Sequence, residues 1–104
     1  MELKFLVGAI EAGRIRVTDH ADEEMRADHL TLGDALHASV YGEVIEDYPT
    51  DTPYPSCLVF GQTAADEPVH CVWAYNENTE WAVLVTVYRP DPARWIDWRL
   101  RRPR

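Results

Sequence analysis

Hydrophobic residues recur at helical spacing near the start of the chain and at alternate positions in its second half. The stripe from Leu3 to Ile10 has apolar residues three and four positions apart, which predicts a helix over residues 2–12. Residues 14–18 then alternate polar and apolar side chains. This alternation predicts a short edge strand or an extended connector.

Two further helices are predicted by their capping residues. Thr18 or Asp19 can accept hydrogen bonds from the first backbone N–H groups of a second helix. Thr31 and Asp34 have the spacing of a capping box, which predicts the start of a third helix. Gly42 follows its apolar stripe and is expected to end it.

From residue 43 onward the apolar pattern has a period of two. Short segments rich in Pro, Asn and Asp separate the apolar runs, which predicts strands joined as an antiparallel meander. In the last strand, the odd-numbered residues from Trp81 to Val87 are predicted to share one face and the even-numbered residues the other. Both faces are largely apolar, so we expect this strand to be central and covered on both sides. The four predicted strands are 43–48, 57–61, 69–75 and 80–88.

The chain is predicted to close with a helix. Asp91 is a suitable N-cap and is followed by proline, and Trp95 and Trp98 have the spacing of neighbours on a helical face. Helices followed by a meander predict one α+β domain over residues 1–104, with N-terminal helices packed on a roughly four-stranded antiparallel sheet and a C-terminal helix. Residues 98–104 are expected to form a partly mobile basic tail that does not pack.

Charge is distributed unevenly along the chain, whose net charge is −8. Residues 1–88 contain sixteen acidic and four basic side chains, and residues 89–104 contain two acidic and six basic ones. An acidic body repels phosphate backbones, so any contact with RNA has to run through the basic segment. The alternative is that this segment docks on an acidic surface of its own or a neighbouring subunit.

Composition excludes several classes of protein. The chain has no apolar run of the roughly 20 residues that a membrane span needs, and its first apolar run is too short for a signal peptide. We therefore expect a cytoplasmic protein without a membrane partner. Cys57 and Cys71 are predicted to be reduced core residues. No metal or cofactor is expected, because no set of ligands has a diagnostic spacing.

Candidate catalytic residues are chosen by residue type. Metal-free RNA cleavage needs a base for the 2′-hydroxyl, an acid for the leaving oxygen and a cation for the phosphate. His70 is the candidate base and Arg89 the candidate phosphate clamp. Tyr88 or His20 is the candidate acid.

Each of these residues also has a structural interpretation. His70 alternates with apolar residues and fits a hydrogen-bonded histidine on a half-buried face. Tyr88 and Arg89 fit anchors of the last helix, with Arg89 paired to Glu46 or Asp47. His20 and Glu24, four residues apart, fit either two metal ligands or a hydrogen bond on a helix surface.

Two segments are candidate binding surfaces. The predicted loop Asp47–Pro55 contains acids, prolines and the two tyrosines Tyr48 and Tyr54, and the C-terminal segment contains arginines. Such surfaces suit a protein partner or a second copy of the chain, and the sheet edge or the tryptophans can serve a homodimer. The candidate binding residues are Glu46, Asp47, Tyr48, Arg94, Arg101 and Arg102.

A series of short motifs in a fixed order gives the chain a family resemblance. The motifs are His20-Ala21-x-Glu23-Glu24-Met25, a helix from Thr31 to Leu36, Gly42-Glu43-Val44-Ile45-Glu46-Asp47-Tyr48-Pro49, Pro53-x-Pro55-Ser56-Cys57-Leu58, Pro68-Val69-His70-Cys71-Val72 and Thr86-Val87-Tyr88-Arg89-Pro90-Asp91. Together they resemble the domain of unknown function 4258 family over nearly all of residues 15–100. That family is similar to the RelE/ParE and BrnT-type toxins of bacterial toxin–antitoxin pairs.

The resemblance implies a fold and two functional hypotheses. It implies helices packed on an antiparallel sheet, and either a non-catalytic relative that binds an antitoxin-like protein or a metal-independent endoribonuclease that cuts messenger RNA. The chain departs from the pattern where many members carry arginine and it has Glu24 and Asp28. Its acidic body also differs from the basic surface of RelE-like ribonucleases. Both departures favour the protein-binding hypothesis.

Overall fold

The computed structural model describes residues 1–103 and contains three helices and seven strands. The helices lie in the first forty residues, as the apolar spacing predicts. The elements are α1 (Leu3–Glu11), β1 (Ile15–Val17), α2 (Asp19–Ala27), α3 (Leu32–Val40), β2 (Glu43–Tyr48), β3 (Ser56–Gln62), β4 (Pro68–Asn76), β5 (Trp81–Tyr88), β6 (Trp95–Ile96) and β7 (Leu100–Arg101).

The main sheet has five strands in the order β1-β5-β4-β3-β2. Strands β2 to β5 form the predicted antiparallel meander. Strand β1 pairs in parallel with β5, so the sheet is mixed, and the prediction of four antiparallel strands is right only for the meander. The class is α+β, as predicted.

The three helices and the main core lie on one face of the sheet. Leu6 of α1 and Trp73 of β4 are completely buried there, and Trp73 Nε1 donates a hydrogen bond of 2.8 Å to Ser39 Oγ of α3. The predicted caps are confirmed, because Thr18 caps α2 and Thr31 forms a capping box at the start of α3. These caps satisfy the first backbone N–H groups of each helix.

A β-bulge in β5 moves the residues after it to the opposite face of the sheet from the one predicted. Val72 pairs with Thr86 while Trp73 pairs with Leu84, so Val85 is an extra residue with no partner of its own on β4. Leu84 and Val87 consequently both lie in the helix-side core, although their numbers differ by three. The predicted alternation is wrong beyond Val85, because one extra residue shifts all later side chains to the other face.

Beyond the end of β1, side chains of helix α2 accept hydrogen bonds from the backbone at the free edge of β5 and just after it. Val87 N–H donates to Glu24 Oε1 at 3.2 Å, and Arg89 N–H donates to Asp28 Oδ2 at 2.9 Å. These two carboxylates serve as acceptors for backbone N–H groups that have no strand partner at this edge.

The C-terminal segment forms a hairpin, and the prediction of a C-terminal helix is wrong. Strands β6 and β7 pair in antiparallel orientation around a turn at Asp97 and Trp98, whose φ angles are +52° and +62°. Two consecutive residues of positive φ end any right-handed helix. The predicted ridge of Trp95 and Trp98 therefore does not exist, since Trp95 is buried in β6 and Trp98 lies in the turn.

The basic tail makes defined contacts as far as it is described. Arg101 Nε and a terminal nitrogen bind the carboxylate of Glu46 at 2.8 and 3.0 Å, and Arg102 Nε donates to the carbonyl of Pro92 at 2.9 Å. The prediction that this tail does not pack is wrong for Arg101 and Arg102. Arg104, which the same prediction included, lies outside the described residues.

Candidate functional site

The sheet face opposite the helices carries most of the candidate residues. His70 and Tyr88 are directly paired positions of β4 and β5. Glu46 and Tyr48 of β2 pair with residues of β3 on the same face. The C-terminal hairpin covers this face, and Trp95 of β6 packs against the His70 ring with a centroid distance of 4.5 Å.

His70 is fully buried, and both nitrogens of its ring have partners. Nε2 lies 2.7 Å from the carbonyl oxygen of Trp98, and Nδ1 lies 3.1 Å from the hydroxyl of Tyr88. Because a carbonyl only accepts, Nε2 carries the proton and Nδ1 accepts from Tyr88. Burial lowers the pKa of His70, although the Trp98 carbonyl and Glu46 oppose that shift. The lowered pKa favours the neutral ring, and the side chain is not exposed to solvent.

Tyr88 is half-buried beside His70. Burial raises the pKa of its phenol to about 12, with smaller contributions from the carboxylates of Glu46 and Glu24. The phenol therefore keeps its proton at neutral pH and donates it to His70 Nδ1. The two residues are therefore the partners of one hydrogen bond across the β4–β5 pair.

Glu46 joins β2 to the C-terminal hairpin. Its carboxylate receives two hydrogen bonds from Arg101 and one from the hydroxyl of Tyr48. Burial by itself raises the pKa of Glu46, but the hydrogen bonds from Arg101 and Tyr48 outweigh it and the pKa is lowered. The guanidinium of Arg101 also lies over the ring of Trp95, 4.7 Å from its centroid, as a cation–π contact.

An open cleft lies beside this cluster at the mouth of β5. Its volume is about 740 Å³. Among the described residues that line it, Asp91 is the one acidic side chain beside four arginines, although Glu46 and Glu67 pair with two of these arginines from outside the lining. We call it the arginine cleft; it is formed by Arg89, Arg94, Arg101 and Arg102, with Tyr88 and Trp95 beside them.

Arg89 has partners different from those predicted. Its Nε donates to the carbonyl of Asp28 at 2.8 Å, and one terminal nitrogen lies 3.5 Å from the carboxylate of Glu67. The prediction that Arg89 pairs with Glu46 or Asp47 is wrong, because Arg101 of the unpredicted hairpin occupies Glu46. Arg89 joins the end of β5 to α2 and still borders the cleft.

Two of the predicted residues lie away from the cleft. His20 is exposed on α2, with its Nε2 3.1 Å from Glu24 Oε1, a contact between residues four apart on the helix surface. Asp47 points to the helix side of the sheet, where it binds the N-terminal ammonium at 2.7 Å. Within residues 1–103, no cluster of three or more His, Cys, Asp or Glu side chains could hold a metal ion.

Trp95 is the important residue that the sequence did not assign to the site. It is 4% exposed, packs on His70 and supports Arg101. Its spacing from Trp98 predicted a helix face instead. The prolines at positions 90 and 92 fit the first turn of a helix as well as a turn, so the local sequence contains no signal that separates the two.

The two cysteines lie in the core, away from solvent. Cys57 and Cys71 are free and buried, and burial raises their pKa values to about 11 and about 12, so both remain protonated thiols. No helix within the described part of the chain has the length and apolar character to cross a membrane.

Comparisons with known proteins place the chain in a family. A search of curated proteins and a search of solved structures each gave no significant match. The sequence profile described as Domain of unknown function (DUF4258) matches residues 17–89. This range begins at Val17, the last residue of β1, includes α2, α3 and the whole meander, and ends at Arg89 beside the arginine cleft. Because this match covers more than half of the chain, the chain belongs to the family Domain of unknown function (DUF4258).

Proposed function

We propose that this domain acts without catalysis, by binding an acidic segment of a partner protein in the arginine cleft. The observation that carries the proposal is the composition of the cleft lining, which among the described residues includes four arginines and one acidic side chain, Asp91. Guanidinium groups bind carboxylates through paired hydrogen bonds, which are stronger than those between neutral groups. The partner is expected to be antitoxin-like or a second copy of the chain.

The state of His70 supports a non-catalytic role. The candidate base is neutral, fully buried and hydrogen-bonded through both nitrogens. A general base has to reach the proton that it removes, directly or through one water. In this arrangement both ring nitrogens of His70 are occupied by protein groups, so they contact neither a ligand of the cleft nor a bridging water.

The charge of the body supports a protein ligand over RNA. Residues 1–88 carry a balance of −12, from sixteen acidic and four basic side chains. An RNA longer than the cleft would pass over this acidic surface and be repelled. A short acidic peptide can place its charges within the cleft and avoid that repulsion.

The test is a binding titration with a fluorescein-labelled hexaglutamate peptide and a hexaglutamine peptide as the uncharged probe. We expect the fluorescence anisotropy of the hexaglutamate peptide to rise with protein concentration, and the effect to weaken with salt. The double variant Arg94→Gln/Arg102→Gln should bind about tenfold more weakly, since two cationic contacts are lost.

The matched control is Arg14→Gln/Arg16→Gln, which removes the same charge away from the cleft. Equal weakening by the two double variants would mean that net charge, and not the cleft, governs binding. Absence of binding at low salt would reject the proposal outright.

The second candidate function is a metal-independent endoribonuclease. It is favoured by the fact that Tyr88, Arg89 and Arg101 all line the same cleft. The test is induced expression in a bacterial host, with growth and messenger RNA followed over time. Transcript cleavage by the wild type that is lost in Tyr88→Phe, and retained in the exposed control Tyr41→Phe, would replace the first proposal by this one.

A further inference from the structure

Glu46 lies where a ligand of the arginine cleft would compete with it. Its side chain is 23% exposed, and it holds Arg101 through two hydrogen bonds of 2.8 and 3.0 Å. Arg101 remains 62% exposed and lines the cleft. The protein therefore supplies its own carboxylate to Arg101, as it also does to Arg89 through Glu67 at 3.5 Å.

The hydroxyl of Tyr48 fixes this internal carboxylate in place. Tyr48 donates to Glu46 Oε1, the same oxygen that accepts from a terminal nitrogen of Arg101. Arg94 and Arg102, which also line the cleft, are not held by a carboxylate of residues 1–103 in the way that Arg101 is. Arg94 is exposed, and the Arg102 side chain uses Nε to bind the Pro92 carbonyl.

We infer that Glu46 is an internal competitor that restricts the ligands of the cleft to segments with several adjacent acidic side chains. An isolated carboxylate that takes Arg101 from Glu46 only exchanges one ion pair for a similar one, so it gains little. A cluster of carboxylates gains contacts with Arg94 and Arg102 in addition, which offset the loss of the Glu46 pair. This inference rests on the proposed function and names the class of ligand.

The experiment compares two labelled peptides of equal length, hexaglutamate and a glutamine peptide with a single glutamate. The wild type should bind hexaglutamate and bind the single-glutamate peptide at least about tenfold more weakly, which corresponds to about 1.4 kcal/mol. In Glu46→Gln, which frees Arg101, we expect the affinity for the single-glutamate peptide to rise about tenfold and the selectivity to fall.

Glu43→Gln is the matched control. Glu43 is also on β2 and binds Arg99 of the same hairpin, but Arg99 does not line the arginine cleft. The substitution changes the net charge by the same amount, so it should leave both affinities unchanged. Equal effects of Glu43→Gln and Glu46→Gln would reject the role of Glu46.

Tyr48→Phe keeps the test decisive if Glu46→Gln does not fold. It removes the hydroxyl that holds Glu46 without changing any charge, so it should raise the affinity for the single-glutamate peptide by a smaller factor. An unchanged affinity in folded Tyr48→Phe counts against the inference.

The outcomes separate the inference from the proposed function. Hexaglutamate binding that depends on Arg94 and Arg102, with no selectivity change in Glu46→Gln, rejects the inference and keeps the proposed function. Failure of every variant to bind either peptide rejects both. Tighter binding of a single-stranded RNA of equal charge would also reject both, because it would identify a nucleic-acid site.

Discussion

His70 Nδ1 and the hydroxyl of Tyr88 lie 3.1 Å apart across the β4–β5 pair. The other ring nitrogen of His70 donates to Trp98, so the histidine connects the sheet to the turn of the C-terminal hairpin. Among residues 1–103, no buried side-chain nitrogen or oxygen lacks a hydrogen-bond partner. The pair therefore joins the sheet to the hairpin beside the arginine cleft, which Tyr88 lines.

The first prediction concerns the stability that His70 contributes. His70→Ala should lower the free energy of unfolding by about 2–4 kcal/mol, because it leaves a cavity and removes the donor to Trp98. Tyr88→Phe should cost about 1 kcal/mol, since only its hydroxyl is lost. Chemical denaturation measures both, and the exposed control His20→Ala should stay within about 0.5 kcal/mol of the wild type. A His70→Ala loss no larger than that of the control would contradict the assignment.

The second prediction is a pH dependence of stability due to His70. Its pKa is lowered in the folded protein from the ordinary 6.5, so the unfolded chain binds this proton more readily. The free energy of unfolding should therefore fall as the pH drops below about 6.5. Glu46, whose pKa is lowered from 4.5, contributes its own loss at lower pH.

The measurement for this second prediction compares the wild type with His70→Gln at about pH 7.5 and about pH 5.5, a range in which histidine titrates and carboxylates largely do not. The wild type should lose more stability over this range than the variant. Equal losses would show that the pH dependence arises from other groups.

The third prediction concerns the two carboxylates at the edge of β5. Glu24→Ala and Asp28→Ala should each cost about 1–2 kcal/mol, because the first leaves the Val87 N–H in β5 without its acceptor and the second leaves the Arg89 N–H just after β5 without its acceptor. Amide hydrogen exchange gives a specific readout, since protection should fall at Val87 in the first variant and at Arg89 in the second. The exposed Glu23→Ala on the same helix is the control, and unchanged protection in all three variants would contradict the contacts.

The fourth prediction concerns the close approach of α3 to β3. A Cβ atom on Gly61 would lie 1.8 Å from the Ala38 carbonyl oxygen, whereas a Cβ on Gly8 would meet no atom within 4 Å. Gly61→Ala should therefore destabilise the protein by about 3 kcal/mol or more. Gly8→Ala, within α1, should stabilise it by up to about 1 kcal/mol. Thermal unfolding distinguishes these opposite signs, and a tolerated Gly61→Ala would contradict the packing of α3 on the sheet.

The candidate site was predicted residue by residue but not as an arrangement. His70, Tyr88 and Glu46 were identified by type and strand position, and they do lie on one face. Their partners were not identified, because Arg101 and Trp98 reach them through a hairpin that the sequence did not predict. The local pattern of Trp95 and Trp98 fitted a helical turn, and contact with the sheet decided otherwise.

Elements with local causes could be predicted from the residues alone. The helix from Leu3, the caps at Thr18 and Thr31 and the meander follow from spacing and capping chemistry within a few residues. Long-range contacts in the folded chain set the parallel pairing of β1, the bulge at Val85 and the C-terminal hairpin. Each of these depends on groups far apart in the chain, whose pairing and burial outweigh the local preference.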